Sequence, residues 1–405
     1  MSGGRMAFYL PVDLGGMVGY QCALREALAP HGWSVDAVAA GNEAARRHQP
    51  ELAVPDHVLL APDVSDPREA AAALCGWLED RRIDVLHTFG TTEVGDLARA
   101  ALPRRIRCLV SIHTSTLGSL RIATALREHV NAYVCSSPAP ARLLRTLFRV
   151  PEDRIDVVPY GIRARPLPPD RFQPRSGALR IASVGRLEGD AKGSDLLVPI
   201  AAHLARHGLD FQLDVVGDGP FREALVRSVD AASLGERVRL RGAEGRLAVR
   251  EALLRSDVFL FPSRTEGFGL ALLEAMEAGC APVATRIPGV TDVLLADGAG
   301  LLVEGPRPRA FAAAILSLAA RPADRTAIAE RARGRALGAF SLERMGDAYA
   351  ALLARILAAP DRRAPARSMH DLRRPWAWRF GLGAALPAGL KHALRAAAFR
   401  LGVTL

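Results

Sequence analysis

The sequence predicts an α/β protein with two domains, each built on a parallel sheet. Short apolar runs typical of buried parallel strands alternate with amphipathic helical patterns along most of the 405 residues. A polar, proline-rich stretch at 165–177 interrupts this alternation, and the chain length is also typical of two domains. We therefore expect a first domain over 1–164, a linker over 165–177 and a second domain over 178–340.

The first domain shows the alternation from its beginning. Its strands are predicted at 6–12, 35–39, 57–60, 84–89, 106–112 and 132–135. The first strand leads into Gly15 and Gly16, a glycine pair where backbone amides at a helix start can approach a phosphate. Tight turns between strand and helix also use glycine, so this pair alone is a weak signal.

Two histidines lie where ligands bind in such sheets. Parallel doubly wound sheets bind ligands at the carboxyl ends of their strands. His113 directly follows the strand at 106–112, and His87 lies near the end of the preceding strand. A lone histidine is more often a structural hydrogen-bonding group, so we take His113 as the first candidate because of its position and His87 as the second.

The second domain continues the pattern and adds a cationic loop. Its strands are predicted at 179–184, 211–216, 237–241, 258–261, 281–284 and 300–303. The loop after the first of them carries Arg186 and Lys192. Lys192 and Lys391 are the only lysines in a chain that otherwise uses arginine, so a lysine at this place is informative. The alternative is that both loop cations are simply solvated.

The segment 258–289 carries the strongest signal for a function. A buried strand ends in a turn, and a helical pattern follows from about Phe268. Gly267 and Gly269 leave the backbone open at the helix start, where anions are favoured. Glu266 precedes this helix and Glu274 lies within it. Carboxylates on both sides of an anion site suit a ligand with hydroxyls at both ends and phosphate between, such as a nucleotide-sugar.

These residues resemble a known family. Pro-Ser at 262–263, Glu-Gly-Phe-Gly-Leu at 266–270 and Leu-Glu-Ala-Met at 273–276 are similar to the signature of the retaining glycosyltransferases of family 4. The resemblance implies the GT-B fold, with two Rossmann-like domains facing across a cleft and a C-terminal helix that crosses back onto the first domain. It covers about 6–357, and 341–360 is the candidate crossing helix.

The resemblance also implies roles for individual residues. Glu266 would hold the hydroxyls of the donor sugar, Glu274 those of the ribose, and His113 would lie beside the anomeric centre. The expected catalytic set is His113, Glu266, Arg186 and Lys192. The expected donor-binding set is Gly15, Gly16, Arg186, Lys192, Glu266, Gly267, Phe268, Gly269, Leu270 and Glu274.

The chain departs from the family pattern at a few positions. Tyr160 replaces an asparagine in a segment that we interpret as a structural hinge, and Asp292 is one methylene shorter than the usual glutamate. The turn at 217–220, Gly-Asp-Gly-Pro, is interpreted as mainly structural. Acceptor choice is expected in first-domain loops such as 41–55 and 91–96.

Composition limits the alternatives. The five cysteines are an odd number without a Cys-x-x-Cys pair, which favours free thiols in a reducing compartment and no zinc site. The sequence has no Asp-x-Asp and no cluster of His and Asp at ligand spacing, so we expect neither a metal site nor a cofactor. No signal peptide or apolar run long enough to span a membrane is present, so a cytoplasmic protein is expected.

The basic residues are unevenly distributed. The net charge is +10, but 361–405 holds nine basic and two acidic residues, which leaves the rest of the chain nearly neutral and argues against nucleic acid as a partner. Arginine and tryptophan interleave at 373–380, and a helical apolar stripe follows. This composition favours docking on an anionic membrane surface; the alternative is that the tail packs on the first domain.

The expected function is therefore a retaining, metal-independent transferase. It would move a hexose from a UDP- or GDP-linked donor, a co-substrate, to a hydroxyl of a glycan, a lipid-linked molecule or a small molecule. Family 4 enzymes are thought to use front-face attack, in which the leaving phosphate takes the proton of the acceptor. Two alternatives stay open: a phosphorylase or nucleotide-sugar epimerase of the same fold, and a non-catalytic sugar-nucleotide binder.

Overall fold

The chain folds as two units, each with a parallel sheet. The computed structural model describes residues 3–10, 16–42, 44, 57–89, 92–173 and 176–372. Unit 1 comprises Met1–Gly161 together with Leu342–Leu405, and unit 2 comprises Ile162–Ser341. The predicted α/β class with two parallel sheets is confirmed.

The strands form a seven-stranded and a six-stranded sheet, with the orders β3-β2-β1-β4-β5-β6-β7 and β10-β9-β8-β11-β12-β13. The strands are β1 Arg5–Tyr9, β2 Ser34–Ala40, β3 Val58–Leu60, β4 Val85–Phe89, β5 Arg107–Ile112, β6 Ala132–Cys135, β7 Ile155–Val157, β8 Leu179–Val184, β9 Phe211–Val216, β10 Val238–Gly242, β11 Val258–Phe261, β12 Ala281–Thr285 and β13 Leu301–Val303. The paired strands are parallel, and each sheet reverses its strand order once, between β1 and β4 and between β8 and β11.

Helices connect the strands, as expected for parallel neighbours. Their bounds are α1 Gly16–Leu28, α2 Pro67–Asp80, α3 Glu93–Ala101, α4 Leu117–Ala123, α5 Pro138–Thr146, α6 Gly189–Lys192, α7 Ser194–Arg206, α8 Arg222–Ala231, α9 Arg246–Arg255, α10 Leu270–Glu277, α11 Thr291–Leu294, α12 Pro308–Ala320, α13 Pro322–Ala339 and α14 Leu342–Ala358. In the described residues no helix is long and apolar enough to cross a membrane.

The helix predicted to cross back belongs to unit 1. Helix α14 packs along α1, and the buried hydroxyl groups of Tyr349 and Tyr20 are in contact. Its buried face carries apolar side chains at helical spacing, from Leu342 and Met345 to Ile356. The C-terminal part of the chain therefore completes the first unit.

The segment predicted as the interdomain linker packs within unit 2. The chain changes unit between Gly161 and Ile162, slightly before the expected boundary at 164. Within the segment, the buried guanidinium of Arg171 donates to the carbonyl groups of Ser256, Ala278 and Gly279 at 2.6–2.8 Å. Ser256 and Ala278 directly follow the C-terminal ends of α9 and α10, where the helix dipole favours a cation.

The first part of the predicted basic tail also packs on the protein. We call residues 361–372 the strap. The buried Arg363 side chain donates to Asp361 Oδ2 at 2.9 Å, to the Pro103 carbonyl at 3.1 Å and to Cys108 Sγ at 2.9 Å. Leu372, at the end of the strap, lies in the hydrophobic core of unit 1. Arg363 and Leu372 are therefore fixed on unit 1, whereas most other strap residues are exposed. Residues 373–405, which include the predicted Arg and Trp segment, lie outside the described residues.

Candidate functional site

Two loops of unit 2 start at the point where its sheet reverses its strand order. Strands β8 and β11 are neighbours, while the chain continues from β8 to β9 on one side and from β11 to β12 on the other. Ligands of such sheets bind in the crevice outside the carboxyl ends of these two strands. We call Gly185–Gly193, after β8, the cationic loop and Pro262–Gly269, after β11, the acidic loop.

An ion pair joins the two loops. Lys192 Nζ donates a hydrogen bond to Glu266 Oε1 at 2.8 Å, although the two residues are 74 positions apart. The Lys192 side chain is 31% exposed and that of Glu266 is 9% exposed. Two of the residues that the sequence selected are therefore in direct contact, and the Lys192 side chain is only partly covered.

Arg186 lies on the cationic loop but is directed to solvent. Its side chain is 73% exposed and pairs with Glu188 of the same loop at 2.5 Å. The loop is fixed to the protein by Leu187, whose side chain is buried. The Leu187 amide donates to the Asp218 carbonyl at 2.9 Å, and the Leu187 carbonyl accepts from the Phe221 amide at 3.0 Å. The Gly-Asp-Gly-Pro turn thus supports the loop that carries Arg186, which agrees with its structural interpretation.

The acidic loop ends in the helix start that the sequence predicted. Helix α10 begins at Leu270, two residues later than expected, because Gly269 has a φ of 97° and a left-handed conformation that favours glycine. Gly267 and Phe268 are buried, and the Phe268 ring meets Phe340 edge to face at 5.8 Å. The first amides of a helix have no partner within it, so this end of α10 favours an anion.

Glu274 lies one turn into α10 and is only partly buried. Burial raises the pKa of its carboxyl group above the usual value, while the positive charges of Arg246 and Arg165 act in the opposite direction. No hydrogen bond or ion pair of the Glu274 carboxylate is found among the described residues. Its oxygen atoms can therefore accept hydrogen bonds from ligand hydroxyls, and Glu266, which binds Lys192 through Oε1, keeps acceptor capacity as well.

Sequence reasoning missed a second ion pair between the loop regions. Arg264 in the acidic loop binds Asp195 in the first turn of α7 through two parallel contacts, Nη1 to Oδ1 at 2.6 Å and Nη2 to Oδ2 at 2.7 Å. The sequence indicates only a turn at this position. The available signal was an acidic residue just inside a helix start, next to a glycine, but its partner is far away in the sequence.

The histidine candidates belong to unit 1 and are both neutral. His113 follows β5, where Nε2 contacts Ser111 Oγ at 2.8 Å and Nδ1 contacts the Tyr160 hydroxyl. Burial lowers the pKa of His113 to about 3, and His87 has the same shift from burial alone. Both ring nitrogens of His113 thus have hydrogen-bond partners within the protein. Tyr160, in the segment interpreted as a hinge, also binds this histidine.

The remaining first-unit candidates are less informative. Gly16 is the exposed first residue of α1, and Gly15 lies outside the described residues. The expected acceptor loop at 91–96 is largely helical, because α3 begins at Glu93, and the buried Asp96 pairs with Arg99 at 2.6 Å. Most of the other expected acceptor loop, 41–55, lies outside the described residues.

The described part of the chain has no group of three or more His, Cys, Asp or Glu side chains that is placed to hold a metal ion. The five cysteines are free thiols, three of them buried.

Two family models match this chain in consecutive parts. A model described as glycosyl transferase 4-like domain matches residues 15–161, and one described as glycosyl transferases group 1 matches residues 169–335. The second match contains both the cationic and the acidic loop. The two matches together follow the division of the chain into two units.

Curated relatives carry transferase names. The chain is 29% identical over 315 residues to the D-inositol 3-phosphate glycosyltransferase of Xylanimonas cellulosilytica, covering 72% of this chain and 70% of that protein. It is 30% identical over 141 residues to the gpi3 subunit of the phosphatidylinositol N-acetylglucosaminyltransferase of Schizosaccharomyces pombe. That match covers 35% of this chain and 31% of the subunit, so the chain spans about a third of the length of the first curated relatives it matches.

Solved structures share the fold. Sucrose-phosphate synthase from Thermosynechococcus elongatus superposes with a TM-score of 0.72 at 21% identity, covering 88% of this chain and 100% of that one. The Anabaena protein Alr3699/HepE, crystallised with UDP-glucose, superposes with a TM-score of 0.69 at 17% identity, covering 87% and 100%. At these identities the likeness concerns the fold.

Proposed function

The chain belongs to the group 1 glycosyl transferases and has the GT-B fold, and from this we propose that it transfers a sugar from a nucleotide-sugar donor to a hydroxyl acceptor. One observation carries the proposal. Lys192 and Glu266, on the loops after β8 and β11, meet at 2.8 Å where a parallel sheet reverses its strand order. A cation for phosphate and a carboxylate for sugar hydroxyls are thus side by side.

The site offers complementary groups for each part of such a donor. Lys192, Arg186 and the start of α10 would stabilise the negative charge that develops on the leaving diphosphate, a preorganised electrostatic effect. Glu266 would accept hydrogen bonds from the donor sugar. Glu274 would accept them from the ribose, since its carboxylate has no partner among the described residues.

We propose a UDP- or GDP-linked donor and a lipid-linked acceptor. The support for the donor is the fold shared with the Anabaena protein that was crystallised with UDP-glucose. The support for the acceptor is the similarity to a transferase whose name includes phosphatidylinositol, together with six basic residues and no acidic residue in 373–405. We place the protein in the cytoplasm, with this tail on the inner face of the membrane.

We also propose retention of the anomeric configuration without a metal ion. A two-step route would need a carboxylate nucleophile at the anomeric carbon, whereas we assign Glu266 to the hydroxyls of the donor sugar. Front-face attack needs no such group, because the leaving phosphate takes the proton of the acceptor. The early product, observed by NMR, should keep the configuration of the donor, and a chelator should leave the rate unchanged; inversion or loss of activity would contradict the proposal.

The function is tested by turnover of donor. The purified chain is incubated with UDP-, GDP- and ADP-sugars, and thermal stabilisation, slow donor hydrolysis and transfer to lipid and sugar alcohols are measured. We expect one class of donor to stabilise the protein and to be hydrolysed. Binding without any turnover would indicate a sensor, phosphate-dependent product would indicate a phosphorylase, and an epimerised free donor would indicate an epimerase; each result would overturn the proposal.

A further inference from the structure

The Arg264–Asp195 pair lies between the two loops that carry the proposed site. Its guanidinium and carboxylate make two parallel hydrogen bonds at 2.6 Å and 2.7 Å, the fork geometry that only arginine provides. Asp195 also lies in the first turn of α7, where the helix dipole favours a negative charge. The Arg264 side chain is 23% exposed and that of Asp195 is 37% exposed, so the pair is partly shielded from solvent.

Arg264 also binds the backbone of the cationic loop. Its Nη1 donates to the Gly189 carbonyl at 2.5 Å, and its amide donates to the Ala191 carbonyl at 2.9 Å. The amide of Thr265 reaches the same Ala191 carbonyl at 3.3 Å. One arginine thus fixes the beginning of α6, its end and the start of α7 relative to the acidic loop.

The two loops touch closely at a glycine. Gly193 has a φ of 68°, and a Cβ atom at this position would lie 2.2 Å from the Pro262 carbonyl oxygen. Any other residue would therefore separate the loops. Lys192 directly precedes this glycine, and Glu266 lies two residues after Arg264. The backbone contacts of Arg264 are therefore made just before Lys192 in the sequence, and its ion pair is made just after it.

We propose that Arg264 and Asp195 are positioning residues, which set the place of Lys192 beside Glu266 and so determine how well the site binds a nucleoside diphosphate. Arg264 does not contact the ligand itself, because its guanidinium is occupied by Asp195 and Gly189. Its effect passes through Lys192. This inference rests on the proposed function, since it assumes that the site binds a nucleotide with a diphosphate.

A double-mutant cycle separates positioning from general stability. Dissociation constants for UDP and GDP are measured by calorimetry for the wild-type chain, Arg264→Ala, Lys192→Ala and the double variant. Arg264→Ala should weaken binding by about tenfold, as expected when the misplaced Lys192 loses one charged hydrogen bond to the ligand. In the Lys192→Ala background the same change should have little further effect, because the residue through which it acts is gone.

Two further variants keep the test independent of folding. Asp195→Asn retains the size of the side chain but loses its charge, and it should weaken binding in the same direction as Arg264→Ala. Arg255→Ala is the matched control, since Arg255 ends α9 just before β11 begins, at the opposite end of that strand from the acidic loop, and forms an exposed ion pair with Glu251 at 3.6 Å; it should not change binding. Circular dichroism shows which variants are folded.

The outcomes are distinct. Equal affinity of wild type, Arg264→Ala and Asp195→Asn would overturn the positioning role, as would losses for Arg264→Ala and Lys192→Ala that simply add. If the wild-type chain itself binds neither UDP nor GDP, the proposed donor class fails, which is a different result from unchanged affinity in the variants.

Discussion

Glu266 and Glu274 lie in one motif but in different electrostatic surroundings. Glu266 accepts a hydrogen bond from the ammonium of Lys192 at 2.8 Å. Glu274 is partly buried in α10, and burial raises the pKa of its carboxyl group. Their neutral amide variants should therefore have different consequences, although each change removes a single charge.

We predict that Glu266→Gln reduces kcat by about 10²–10³-fold, the range for losing one electrostatic group that acts on the transition state. Glu274→Gln should mainly raise the KM for the donor, by about tenfold, because its contact is made equally in ground and transition states. Steady-state kinetics on the donor identified by screening give both constants. Small and equal losses in the two variants would contradict these roles.

The low pKa values of two histidines predict how the stability of the fold depends on pH. Burial lowers the pKa of His87 and His113 to about 3 in the folded protein, whereas an unfolded chain binds these protons near pH 6.5. The unfolded state therefore binds more protons than the folded state between these pH values. The contribution of the two histidines to the free energy of unfolding should be fully present above about pH 6.5 and decrease as the pH is lowered towards 3.

His87→Leu should reduce this pH dependence. Neither ring nitrogen of His87 has a hydrogen-bond partner among the described residues, and leucine keeps an apolar side chain against the rings of Phe8 and Tyr349, so the change removes a titrating group without breaking a hydrogen bond. The urea midpoint is compared between pH 7.5 and pH 5 for the wild-type chain, for this variant and for His207→Gln, whose side chain is exposed. An equal decrease in the midpoint for all three chains would contradict the assignment.

Buried arginines show what could not be predicted at this scale. In a sequence, arginine indicates a solvated surface, and the strap was accordingly interpreted as part of a basic tail. Arg363 is buried because Cys108 and Pro103, more than 250 positions earlier, supply its acceptors. Arg171 and Arg264 are held in the same way by distant carbonyl groups and carboxylates. Local composition contains no information about such partners.

At the scale of elements, strands were predictable where both faces of the sheet are covered. The bounds of β6, β8, β9 and β11 agree with the prediction. A strand that is covered on both faces of a parallel sheet has apolar side chains along most of its length, and such a run is easily recognised in the sequence. Strand β7 was missed. It has only three residues with Asp156 in the middle and lies at the edge of its sheet, so it shows no apolar run.

The strap is the element whose contribution to stability can be measured most directly. Arg362 and Arg363 are neighbours, but the Arg362 side chain is 86% exposed and that of Arg363 is 2% exposed. Arg363→Ala should lower the free energy of unfolding by about 2–4 kcal/mol, because several buried hydrogen-bonding groups lose their partner.

Arg362→Ala is the matched control for this prediction. Its ion pair with Asp153 is long, at 3.8 Å, and exposed, so the expected change is within about 0.5 kcal/mol. Urea denaturation of both variants gives the comparison. Similar unfolding free energies for the two variants would show that the strap is only loosely attached.

At the scale of the whole molecule, the strap changes how the charge of the chain is distributed. Among residues 361–372 the buried Arg363 is neutralised by Asp361, and Asp371 reduces the charge further. The six basic residues of 373–405, without an acidic residue, therefore carry most of the net +10 charge of the protein. Any electrostatic attraction to an anionic surface should come from this segment.

We predict that 373–405 binds the protein to anionic membranes. Each basic residue near an anionic leaflet contributes about 1 kcal/mol, and tryptophans at 376 and 378 add an interfacial preference. The full-length chain should sediment with vesicles of phosphatidylcholine and phosphatidylglycerol at low salt, and less at high salt, because salt screens the attraction.

The truncated chain for this comparison should end at Leu372 rather than at Pro360. An end at Pro360 would remove Arg363 and the core residue Leu372, so a change in sedimentation would reflect damage to unit 1. A chain ending at Leu372 keeps the strap and should stay in the supernatant, as should the full-length chain with vesicles of phosphatidylcholine alone. If the full-length chain also stays in the supernatant with anionic vesicles at low salt, the tail does not dock, and the proposal of a lipid-linked acceptor loses its support from charge.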